Sequence, residues 1–135
     1  MDKCITIYVL SDSIGETGEQ VARAAISQFS PERYEVRRFP YITIEDQIVE
    51  VFEEAKNERS IIIYTIVIEK LKNFIIAKGK ELNIPVVDLM SPALDAIEKV
   101  IGHEPRRESG LIRKLDEKYF RKVEPQIITY GDMKF

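Results

Sequence analysis

At 135 residues, 44% hydrophobic and 32% charged, the chain has the length and composition of one globular domain that buries its own core, which excludes a disordered polypeptide. Its formal charge of −3, from 20 basic and 23 acidic side chains, disfavours nonspecific binding to nucleic acid. One cysteine and one histidine exclude an intrachain disulfide and a zinc site, and the longest apolar stretch, Ile61 to Ile68, is too short to cross a bilayer.

Cys4 to Leu10 is nearly all apolar and rich in β-branched residues, the pattern of a strand covered on both faces, with Cys4 read as a buried structural thiol in preference to a reactive nucleophile. Gly15 to Phe29 carries Val21, Ala24, Ala25, Ile26 and Phe29 at helical spacing and stops at Ser30-Pro31. Tyr34 to Phe39 alternates apolar and charged residues, as an edge strand does. Thr43 is a plausible N-cap for a helix reaching Lys56, with Ile44, Ile48, Val51, Phe52 and Ala55 as its buried stripe and Asp46 as a weak reciprocal cap. Ser60 to Ile68 reads as the central strand, Glu69 to Leu82 as a third helix burying Leu71, Phe74, Ile75 and Leu82, and Ile84 to Leu89 as a fourth strand. Ser91-Pro92 opens a fourth helix that ends near Gly102.

Four strand–helix units with short, right-handed connections predict an α/β protein with a three-layer architecture. Its four-stranded parallel sheet is expected in the order 2-1-3-4, with helices on both faces. Residues 1–102 form this Rossmann- or flavodoxin-like domain in the reading, and 103–135 a basic tail or linker. From His103 to Lys122 there are seven Arg or Lys against four Asp or Glu; Leu111 to Val123 suits a helix and Ile127 to Tyr130 a short strand. No signal peptide precedes the first strand, so a cytoplasmic protein with no membrane partner is expected.

The chemistry concentrates where the first strand gives way to a helix. Ser11, Asp12, Ser13, Gly15, Glu16 and Thr17 gather at the strand's carboxyl end, where open parallel sheets hold their ligands. Hydroxyls and helix-start amides donate to phosphate oxygens, and Gly15 permits close backbone approach. Asp12 and Glu16 oppose a bare anion and better suit a metal, a ribose hydroxyl or a general-base role. The alternative is that Ser11 or Ser13 merely caps the helix, with the acids complementing its dipole.

A switch point between strands one and three would bring Thr65 beside this loop, unless its hydroxyl only satisfies a neighbour. Asp88 and Ser91 could reach the same crevice, although Ser91 as N-cap is simpler. His103 suits a helix C-terminus. Arg106, Arg107, Arg113, Lys114, Arg121 and Lys122 would contact phosphates or an acidic partner, or form a solvated basic face. No Gly-x4-Gly-Lys-Ser/Thr run occurs, so the sequence contains no recognisable P-loop, and no metal-ligating constellation is evident.

Ser-Asp-Ser-Ile-Gly-Glu-Thr-Gly-Glu (11–19) resembles the amino-terminal signature of the regulatory proteins of pyruvate, phosphate dikinase and phosphoenolpyruvate synthase. Tyr64-Thr65-Ile66-Val67, Val87-Asp88-Leu89-Met90-Ser91-Pro92 and Tyr119-Phe120-Arg121-Lys122-Val123-Glu124 resemble later segments of that family in order. The resemblance implies a bifunctional enzyme that phosphorylates a threonine of the dikinase or synthase with ADP and reverses this with phosphate, releasing pyrophosphate. It implies ADP or ATP as ligand, with the P-loop in a further half of comparable size, so this chain is expected to be inactive alone. Ile14 and Gly18 depart from the expected Thr and Ala, and the match fades after Glu124. A flavodoxin-like FMN-binding module and a noncatalytic docking domain, with Leu111 to Val123 docking on a second copy to form a homodimer or on another protein, are the competing readings. A phospho-acceptor receiver domain is disfavoured, because Tyr64-Thr65 stands where its aspartate would be.

Overall fold

The apolar run after Cys4 becomes the strand β1 (Ile5–Leu10), and the elements alternate from there: α1 (Glu16–Ile26), β2 (Tyr34–Phe39), α2 (Glu45–Ala55), β3 (Ser60–Tyr64), α3 (Glu69–Leu82), β4 (Val86–Asp88) and α4 (Ser91–Ile101). The structure, a computed structural model, describes residues 4–29 and 33–109. The strands pair in parallel in the order β2-β1-β3-β4, as the alternation of elements predicts. Leu10 lies opposite both Phe39 and Tyr64, and Tyr64 opposite Asp88, so the four carboxyl ends are level and their loops open on one edge.

Alternate residues of each strand serve two cores. Tyr8, Leu10, Ile62 and Tyr64 meet Ile48, Val51 and Phe52 of α2 and Leu71 and Ile75 of α3, while Ile7, Val9 and Ile63 meet Ala22 and Ile26 of α1. The buried Tyr8 ring stacks on Phe39 at 5.8 Å between centroids, and its hydroxyl is bonded to Glu58 and Arg37. Arg37 also pairs with Glu35 and Glu54, fastening the edge strand β2 to α2.

Several boundaries and faces differ from the sequence expectation. Of the expected Val21, Ala24, Ala25, Ile26, Phe29 stripe α1 buries Ile26, and it adds Gly18 and Ala22 in place of the others; Phe29 is 77% exposed beyond the helix end. The cause is close approach: a Cβ on Gly18 would lie 2.5 Å from Val9 Cγ1, so the helix rests on β1 through its small residues. Thr43 does not cap α2. Ile44 occupies the N-cap position, exposed, and the Gln47 side-chain oxygen accepts the Thr43 and Ile44 N–H groups at 2.7 and 3.1 Å, the role considered for Asp46.

β3 ends at Tyr64 rather than Ile68, because the chain turns towards the first loop: Thr65 N–H donates to Leu10 O and Val67 N–H to the Asp12 carboxylate. β4 is shorter than Ile84 to Leu89, since Ile84 N–H closes on Gly79 O behind the left-handed Asn83 that ends α3. The first turn of α4 contains Pro92, and Gly102 at φ 94° ends the helix. The expected helix Leu111 to Val123 and strand Ile127 to Tyr130 lie outside the described residues.

Candidate functional site

The β1 exit is laced to its neighbours by backbone bonds. Ser11 N–H donates to Phe39 O, while Ile42 and Tyr41 N–H donate to the carbonyls of Ser11 and Ser13 at 2.9 and 2.8 Å. Buried Ser11 turns its hydroxyl oxygen to the Ser13 N–H at 3.0 Å, a local turn and not a helix cap. Gly15 enters α1 at φ 87°, in the left-handed region a glycine tolerates, and no side chain caps the helix. The capping alternative for Ser11 and Ser13 is therefore corrected: the first turn of α1 keeps its amides unbonded by side chains, with Glu16 and Thr17 exposed beside them.

Asp12 reaches across to the loop after β3. Its half-buried carboxylate accepts the Val67 N–H at 3.3 Å, bridging the loops of the two central strands. Burial raises its pKa above the ordinary aspartate value, against the opposing pull of backbone N–H groups and the Ser109 hydroxyl. Thr65 lies beside the loop as the switch-point argument predicts, its N–H on Leu10 O at 3.1 Å and its methyl group over Gly18.

Arg38 is a member of this neighbourhood that sequence reasoning missed. Its aliphatic stem lies against Gly15, and its guanidinium reaches Glu19 at 2.7 Å and Ile14 O at 3.2 Å. The available signal was position: alternation along β2 sends Arg37 and Arg38 to opposite faces, and Arg38 stands near the carboxyl end.

The β4 exit holds a second polar cluster. Asp88 Oδ1 accepts the N–H groups of Met90 and Ser91 at 3.0 and 2.9 Å, so Asp88 and not Ser91 closes the start of α4. The Ser91 hydroxyl donates to Asp88 Oδ2 at 2.5 Å and accepts from Lys72 Nζ at 2.6 Å, with that ammonium 3.7 Å from the carboxylate. Burial pushes the Asp88 carboxyl up, but the Ser91 hydroxyl, these N–H groups and the Lys72 ammonium outweigh it and hold it below the usual value. Lys72 was also missed, since a lysine in the first turns of a helix reads as solvent-facing. Burial and the neighbouring Asp88 carboxylate raise the Tyr64 phenol well above its ordinary value, so it is neutral.

Of the expected partner-contacting arginines, Arg106 is exposed, whereas Arg107 turns inward. Arg107, at φ 59°, donates to Val67 O at 3.2 Å and pairs with Glu69 at 3.3 Å. Arg113, Lys114, Arg121 and Lys122 lie outside the described residues. His103 is exposed, its Nδ1 3.2 Å from Glu104 O. Among the described residues no three His, Cys, Asp or Glu side chains converge in a way that would hold a metal ion, and no helix is long and apolar enough to cross a membrane.

A four-stranded parallel sheet in the order β2-β1-β3-β4, with its switch point between β1 and β3, defines an α/β domain. The family model described as kinase/pyrophosphorylase matches residues 7–129, and the chain belongs to that family. A protein of Alkaliphilus oremlandii named as a putative pyruvate, phosphate dikinase regulatory protein is 58% identical over 120 residues, 89% of this chain and 43% of the relative. Proteins of the same name in Clostridioides difficile and Carboxydothermus hydrogenoformans are 45% and 42% identical over 123 and 124 residues, covering 90% and 92% of this chain. The chain spans less than half the length of these relatives.

Proposed function

We propose that this chain is the amino-terminal α/β domain of a cytoplasmic regulatory protein that moves phosphoryl groups on and off a threonine of pyruvate, phosphate dikinase or phosphoenolpyruvate synthase. In the forward direction ADP donates its β-phosphoryl group to the threonine hydroxyl and leaves as AMP. In reverse, inorganic phosphate takes the phosphoryl group from phosphothreonine and leaves as pyrophosphate. Family membership supports this reading, and the observation that carries it to particular residues is the uncapped start of α1 behind Gly15.

The donor set fits a single phosphate group: the first amides of α1, with the hydroxyls of Ser13 and Thr17 on the same loop. Asp12 is engaged by the Val67 N–H. Phosphoryl transfer depends on cradling several phosphate oxygens and positioning the acceptor. With no P-loop run in the sequence, this chain supplies one half-site and does not complete the reaction alone.

The test is thermal unfolding with ADP, ATP, phosphate, pyrophosphate and FMN, each alone. A ligand at about a hundred times its Kd stabilises by about 2.7 kcal/mol, a shift of several degrees. A shift with ADP or phosphate that disappears in Ser13→Ala supports the half-site. A shift with FMN alone points to the flavodoxin-like reading, and none with any ligand assigns the loop to protein docking.

A further inference from the structure

Among the described helices, α4 alone has no buried residue, yet its sequence is apolar along one face. Leu94, Ile97 and Ile101 recur at three and four residues, with Val100 beside them; Ile97, Val100 and Ile101 are 54%, 87% and 58% exposed. Val87 of β4, paired in register with Ile63 on the α1 side of the sheet, is 41% exposed as well. An isolated helix of eleven residues is marginal in water, and most helical stability in proteins comes from a covered apolar face. Contiguous exposed apolar side chains of this kind mark an interaction surface.

The helix is nevertheless fixed at its start. Lys72 and Asp88 hold Ser91, so the first turn is tied to α3 and β4. After Gly102 the chain returns to the carboxyl edge, where Arg107 bonds Val67 O and pairs with Glu69. The relatives carry more than half of their length outside the matched region. Polypeptide joined covalently to this domain meets α4 at a high effective concentration, an advantage that a second copy lacks.

We propose that the Leu94–Ile97–Ile101 face of α4, with Val87, is the seat on which the remainder of the full-length protein docks within the same molecule. Glu98 borders this face, with Asp95 beyond it and Lys99 on the far side of the helix, so the complementary surface is apolar with a basic edge. The inference rests on family membership and on α4, not on the phosphoryl-transfer reading.

Amide hydrogen exchange tests it, comparing this chain with the full-length Alkaliphilus oremlandii relative at the segment aligned with 94–101. Exchange there is expected to be at least about a hundredfold slower in the full-length protein, while the β1 and β3 amides serve as the internal reference. The substitution Ile97→Glu, made at the aligned position of the full-length protein, should lower its Tm by several degrees and leave that of this chain within about a degree. If that full-length variant does not fold, Val100→Glu takes its place, with the same expectation. Equal exchange in the two proteins would overturn the proposal. So would protection of α4 in this chain that grows with concentration, since a second copy would then be the occupant.

Discussion

The exits of β1 and β4 are built from similar residues and end in opposite states. Each passes from an apolar strand to a helix through aspartate and serine, at Asp12-Ser13 and at Asp88 with Ser91. At β4 the aspartate bonds the amides of its own helix, the serine bonds the aspartate, and Lys72 closes the cluster from α3. At β1 the aspartate crosses to Val67, the Ser11 hydroxyl serves Ser13, and α1 begins at a left-handed glycine without a side-chain cap. The difference follows from sheet position. β4 has its polar partner on one neighbouring helix, whereas β1 lies between two strands, and the loop after β3 draws its aspartate sideways. A closed exit stabilises; an open one leaves its helix-start amides without a side-chain cap.

The largest expected effect comes from breaking the closed exit. Lys72→Met removes the ammonium beside a carboxylate that is 18% exposed, and should cost about 3 kcal/mol in urea unfolding. A loss under about 1 kcal/mol would mean that the lysine does not hold this turn. Gly15→Ala at the open exit should cost about 1–2 kcal/mol, because φ 87° is strained for alanine and its Cβ would meet Arg38 Cγ at 2.8 Å. Any ADP- or phosphate-dependent Tm shift should shrink with it.

The pH dependence separates the two aspartates by sign. Asp88 is lowered in the folded protein, so its contribution is present above the unfolded value of 3.8 and is lost as pH falls through the still lower folded value. Asp12 is raised, so ionising it opposes folding above its folded value, and acidification from there towards 3.8 relieves that cost. Asp88→Asn should therefore lower the Tm at neutral pH, and Asp12→Asn should raise it modestly and remove the relief on acidification. Melting curves from pH 7 to pH 3 check both, and matching signs would erase the contrast between the exits. The smallest effect is expected for Ser13→Ala, within about 0.5 kcal/mol of the parent in stability, with its consequence confined to ligand-dependent shifts.

Much of the fold was legible because its signals are local. Apolar runs bounded by turn residues located the four described strands, and Glu69–Leu82 and Tyr34–Phe39 match their expected limits. The errors cluster where a local signal competed with a distant partner. Thr43 has a better cap residue's chemistry than Ile44, but Gln47 reaches back over both amides. Ile66 and Val67 look like strand, but the turn beyond Tyr64 takes the Val67 amide to Asp12. The first loop was located by its composition, whereas the fate of each polar side chain within it was not.

The sequence by itself determined the alternation of strands and helices, the strand order and the place of the first loop, because periodicity, turn residues and crossover handedness act over short stretches of chain. Only the tertiary structure decided that Asp12 meets Val67, that Arg38 lies over Gly15, that Lys72 closes on Ser91 and that α1 faces the sheet with Gly18 and Ala22. These pairings join residues on different strands and helices. They depend on register and helix rotation, which are set by how the whole sheet packs against its two layers.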